Sequence, residues 1–102
     1  MNPIVEKCKE VLKDHYGPQF AGLVLYGSMA RGDSGSESDI DLLVLLNQPL
    51  DFFHELRTIV ELLYPLQLES DRLISARPAA VEEFENGAVQ LYRNAKSEGV
   101  SV

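Results

Sequence analysis

Two carboxylates stand two residues apart in Asp39-Ile40-Asp41, at the head of the apolar run DIDLLVLL (39–46). On an extended strand such residues project from one face, with Cα atoms about 6.5–7 Å apart. A pair of this kind beside apolar neighbours repels itself, and it is costly to hold near a core unless a cation joins it. Carboxylate oxygens on a rigid strand suit Mg²⁺ or Mn²⁺, which take a few carboxylates and complete their shells with phosphate oxygens and water. Upstream, Gly27-Ser28 follows another apolar run, FAGLVLY (20–26). Gly27 lets backbone approach a ligand closely. Ser28 offers a hydroxyl and opens a run of free N–H groups at a helix start, which is an anion site. Arg31, one turn on, can add a planar guanidinium for a phosphate. Each part alone has an ordinary explanation, a solvated strand-edge acid or a Gly-Ser turn with a solvated Arg. Together they form a phosphate cradle after one strand and a metal-binding carboxylate pair at the start of the next. A metal-bound nucleoside triphosphate needs both.

The elements that must position these residues follow from periodicity. Residues 3–16 read as a helix, with Pro3 at its first turn and Ile4, Val5, Cys8, Val11, Leu12 and Tyr16 on one stripe. Gly17-Pro18 ends it. Residues 20–26 and 39–46 read as strands; in the second, Ile40, Leu42, Val44 and Leu46 form a wholly apolar face, and the other face is polar only at its start. Residues 50–64 read as a second helix, with Phe52, Phe53, Leu56, Ile59, Val60 and Leu63 sharing a stripe, Asp51 near its positive end and Pro65 terminating it. The alternation of LQLESDRLIS (66–75) predicts a third strand, and Pro78 opens a last helical region, broken at Gly87 and capped by Gly99. Tyr64, Phe84 and Tyr92 are read as core. The expected fold class is α/β (α+β), a small mixed sheet of three to four strands flanked by helices.

Composition narrows the function classes. The chain has 102 residues, which suits one domain spanning 1–102 and leaves no room for a second substrate domain. Sixteen acidic against nine basic residues give a net charge of −7, which argues against stable nucleic-acid binding through neutralised phosphates. No apolar run can span a bilayer, the N-terminus carries no signal-peptide pattern, and Cys8 is the single cysteine. The expected location is therefore intracellular and cytoplasmic. His15 and His54 have no partner at a metal-ligand spacing and are set aside. A small domain with a one-sided sheet is expected to cover its remaining apolar surface in a homo- or hetero-oligomer.

The spacing is the sharpest signal: Gly27-Ser28, ten residues, then Asp-x-Asp at 39–41. This pattern resembles the signature of the DNA polymerase β-like nucleotidyltransferase superfamily. YGSMARG and SDIDLL are similar in more detail to the minimal nucleotidyltransferases, small stand-alone domains often encoded beside a HEPN-domain partner. The likeness is detailed from Phe20 to Leu46 and looser, by order of elements, elsewhere.

The resemblance implies a polymerase β-like fold in which Gly27 and Ser28 hold the β- and γ-phosphates and Asp39 and Asp41 bind two Mg²⁺ ions. Arg31 would add charge against the triphosphate. The superfamily uses a third carboxylate on a later, neighbouring strand. The candidates are Glu69, favoured by the register of Leu66 and Leu68, and Asp71; neither has the family's apolar flanks. The implied activity is Mg-dependent transfer of AMP from ATP to a protein acceptor, with release of pyrophosphate. In the antitoxin-type members the acceptor is a HEPN ribonuclease toxin. Size and charge agree with a protein acceptor, because a polymerase would need basic surface and further domains. The competing reading is a nucleotide-binding module of weak or no activity that neutralises or assembles with its partner by contact alone.

Overall fold

The structure is a computed structural model that describes residues 3–27, 30, 39–47 and 50–102. Helix α1 (Pro3–Tyr16) buries Val5, Cys8, Leu12 and Tyr16, as its spacing requires. Burial pushes the Cys8 thiol up to about 11, so Cys8 acts as a small core residue and not as a thiolate. A short 3₁₀ turn over Gly17–Gln19 leads into β1 (Phe20–Tyr26). Then come β2 (Ile40–Leu46), α2 (Phe52–Glu69), β3 (Ile74–Ala80), α3 (Val81–Asn86), α4 (Gln90–Glu98) and β4 (Val100–Ser101).

The sheet order is β3-β2-β1-β4. β1 runs antiparallel to β2 and β4, whereas β2 and β3 are parallel, so the sheet is mixed as expected. Side-chain alternation divides it into two faces. Leu23, Leu25, Ile40, Leu42, Val44 and Leu46 pack with α1 and α2, with Ile74 and Ala76 at the edge. Val24, Leu43, Leu45 and Ala79 pack with Phe84 of α3 and Ala95 of α4. Ile40, Leu42, Leu43, Val44 and Leu46 are all at most 1% exposed. Each such side chain contributes about 1.5–3 kcal/mol through burial, which anchors the strand that carries Asp41.

The second helix differs from its reading. It does not stop at Pro65 but runs to Glu69 with Pro65 inside. The buried stripe Ile59, Leu63 and Leu66 continues past the proline, which sits exposed on the outer side. The carbonyl it leaves unbonded there can be hydrated. Asp51 caps the helix, its Oδ1 accepting from the His54 N–H at 3.2 Å. Phe53, Val60 and Tyr64, assigned to the core by periodicity, are 77%, 57% and 58% exposed.

The third strand is correspondingly displaced, occupying 74–80 and not 66–75. Gln67 makes the junction: its Oε1 accepts from the Ile74 N–H at 2.7 Å, and its Nε2 donates to the Arg72 carbonyl at 2.9 Å. Pro78 lies in β3 and does not open a helix; an edge strand tolerates a residue without an N–H. The last helical region begins at Val81 and breaks at Gly87, which has φ +63°, as read from the sequence. The two-residue strand β4 has no counterpart in the periodicity.

Candidate metal and nucleotide site

The sheet brings the two halves of the motif together. In the β1–β2 register Tyr26 pairs with Asp41, so Gly27 emerges beside the Asp41 carboxylate. Gly27 has φ +78°, and a Cβ built on it would overlap that carboxylate. Only glycine combines this backbone conformation with this close approach. Ser28 and Arg31 lie outside the described residues.

Asp39 is exposed immediately before β2, and Asp41 is partly buried as the second residue of the strand. Burial holds the Asp41 carboxyl above the usual carboxylate range, the Asp39 charge adds to this, and Arg77 opposes it. A partly buried carboxylate beside a second acidic residue is a donor whose charge a divalent cation offsets. Asp39 and Asp41 are the described residues that would hold a divalent cation here.

The expected third carboxylate is not where the strand reading put it. Glu69 ends α2, on the helix layer against the opposite sheet face, and pairs with Lys7 of α1 at 3.3 Å. Asp71 is exposed in the turn before β3. β3 itself, ISARPAA, contains no acid. Among the described residues no group of three or more His, Cys, Asp or Glu is placed to hold a metal. Both side chains of the Lys7–Glu69 pair are 53% exposed, so the pair contributes about 0–1 kcal/mol. Glu69→Gln is thus expected to leave both the melting temperature and the transfer rate close to wild type. A collapse of transfer in that variant would reinstate Glu69 as a ligand.

In the place of a carboxylate, β3 presents Ser75 opposite Asp41 and Arg77 opposite Leu43, both on the Asp41 face. The Arg77 charge acts on Asp41, on Tyr26, and on Tyr92 of α4. Periodicity missed Ser75, Arg77 and Tyr26 as site residues. The alternation of Ile74, Ala76 and Pro78 against Ser75 and Arg77 was the available signal, obscured by reading Pro78 as a helix start.

The sequence profile of the nucleotidyltransferase domain family matches residues 5–101. The chain belongs to this family. Its fold is the α/β arrangement that the motif implied. A relative from Methanocaldococcus jannaschii with the provisional name protein adenylyltransferase is 31% identical, over 86% of this chain and 98% of its own. A second from the same organism, provisionally named likewise, is 31% identical over 72% and 77%. A Sulfolobus solfataricus nucleotidyltransferase, so described provisionally, superposes with TM-score 0.64 at 18% identity, covering 96% of this chain and 75% of the other. A chain in a mutant toxin–antitoxin complex, MntA-HpeT, superposes with TM-score 0.65 at 22% identity, covering 100% and 72%. At those identities the two structures report the fold alone. Among the described residues no helix is long and apolar enough to cross a membrane.

Proposed function

We propose that this nucleotidyltransferase transfers AMP from ATP to a protein, and that the acceptor is a HEPN-domain toxin which it neutralises in the cytoplasm. The observation that carries the reading is the contact of Gly27 with Asp41. It joins a backbone turn suited to phosphate with a carboxylate suited to a divalent cation. The names of the two archaeal relatives support a protein acceptor, and the toxin–antitoxin complex supports the kind of partner.

The residues take distinct parts. Asp39 and Asp41 would hold Mg²⁺ for the triphosphate. Gly27 permits the close backbone approach that a phosphate needs, and Ser28 brings a hydroxyl for the β- and γ-phosphates. Arg31 adds charge there. When bound, Mg²⁺ would supply charge neutralisation for an in-line displacement at the α-phosphorus. The acceptor hydroxyl forms the new P–O bond, and pyrophosphate leaves with the electrons of the bond that breaks. The exposed stripe Phe53, Val60, Tyr64 and Leu68 along α2 gives a partner protein apolar surface to cover.

ATP labelled at the α-phosphate tests the reading. The label is expected on the partner, whereas a γ-label leaves as pyrophosphate. Absence of α-label from the partner would overturn it.

The acid-free β3 favours a second reading, in which the domain neutralises its partner by contact and the nucleotide site is accessory. Protection of cells by an Asp39→Asn variant with no transfer activity would select this reading. Loss of protection together with transfer would reject it.

A further inference from the structure

The acid-free β3 also bears on how many cations the site holds, given the reading of Asp39 and Asp41 as the site of a metal-bound nucleotide. β3 is the edge strand beside β2, and the parallel register fixes what it can present to Asp41. On the shared face the residues are Ser75, Arg77 and Ala79. Among the described residues a second divalent cation here would find no third carboxylate and would lie beside a guanidinium of the same sign. A phosphate gains from the same arrangement. Arg77 is exposed, so its planar fork is available to anionic oxygens, and a guanidinium keeps its charge at any physiological pH. Its charge already acts on Asp41, Tyr26 and Tyr92. Tyr26 and Tyr92 pack against the second core cluster, so the ring positions on this face are anchored.

We propose that Arg77 is a substrate-binding residue that supplies, as a fixed guanidinium on the triphosphate, the charge a second cation would otherwise bring, so that the site takes one divalent cation per chain. The acceptor hydroxyl is then not activated by a second metal of this chain, and its proton passes to a base outside the Asp39/Asp41 pair. Arg77 thereby sets the metal stoichiometry and the grip on the nucleotide.

Equilibrium dialysis of the full chain with Mn²⁺ and a non-hydrolysable ATP analogue reads this directly, with bound Mn²⁺ counted by electron paramagnetic resonance. Wild type is expected to hold one Mn²⁺ for each bound nucleotide. Arg77→Ala is expected to weaken analogue binding by about 10-fold or more, as loss of a charged hydrogen-bonding partner does, while the Mn²⁺ count per bound nucleotide stays at one. Arg77→Lys, which keeps the charge and loses the fork, is expected to fall between. Arg77→Asp, which replaces the guanidinium with a carboxylate on the same face, is expected to raise the count towards two. Circular dichroism of each variant reports folding, and Arg77→Lys carries the test if the others misfold. Two Mn²⁺ ions per wild-type nucleotide, or unchanged analogue affinity in folded Arg77→Ala and Arg77→Lys, would overturn the proposal and leave the nucleotide site standing. Failure of wild type to bind the analogue would instead overturn the proposed function.

Discussion

Asp41→Asn is expected to abolish nucleotide transfer and, in the same molecule, to raise the melting temperature. Asp41 is raised above its ordinary value in the fold, first by burial and then by Asp39. The native state therefore binds more protons than the unfolded chain between the unfolded and folded values. Stability falls as pH rises through that window, and at neutral pH the ionised Asp41 opposes folding. Asparagine keeps the shape and removes the charge. Transfer should drop by more than about 100-fold, because altering a residue that only orients a metal ligand already costs about 10–100-fold. Scanning fluorimetry at neutral pH should show the Asp41→Asn variant melting above wild type, and the gain should shrink as pH falls from the raised Asp41 value to the usual aspartate range. Added Mg²⁺ with ATP should raise the wild-type melting temperature and leave the variant's unchanged. A variant that melts lower than wild type, or still responds to Mg-ATP, would contradict the assignment of Asp41.

Gly27→Ala is expected to damage fold and site together. An alanine at φ +78° costs about 1–2 kcal/mol in a domain of this size, where 1 kcal/mol shifts Tm by about 4–8 °C. Its Cβ also meets the Asp41 carboxylate, so the side chain must move from the position that faces the cation. The two costs are coupled. Thermal melts of Gly27→Ala, Asp41→Ala and the double variant should be non-additive, with the double variant recovering part of the Gly27→Ala loss once the obstructing carboxylate is gone. Additive losses would place Gly27 and Asp41 out of contact. Mn²⁺ binding by Gly27→Ala should be weakened even where the protein remains folded.

The legible parts of the fold are those in which a single period runs unbroken. The α1 stripe, the all-apolar even face of β2 and the Gly87 break each rest on local pattern, and the structure repeats them. The misreadings share one cause, the weight given to proline. Pro65 reads locally as a stop, although Leu66 continues the stripe of Ile59 and Leu63, and tertiary burial of that stripe outweighs one lost helical bond. Pro78 reads locally as a start, although an edge strand tolerates it. Together these two prolines shift the expected third strand from its true start at Ile74 back to Leu66, and that shift puts Glu69 and Asp71 on a strand they do not occupy. β4 is two residues long and owes its place to pairing with Val24 and Leu25, a non-local cause without a local pattern. Of the proposed site, Gly27, Asp39 and Asp41 stand out in the sequence because glycine and paired acids at strand ends are unusual enough to ask for a reason. Arg77 is not, because its significance comes only from the parallel register that sets β3 beside β2.

The central claim is that the Gly27/Asp39/Asp41 site modifies a protein. Its most direct test is the intact mass of the HEPN partner purified after co-expression with this protein. The expected result is a partner heavier by one or more AMP units with the wild-type chain and unmodified with Asp39→Asn. A partner that is neutralised by the wild-type chain yet carries no AMP would contradict the account.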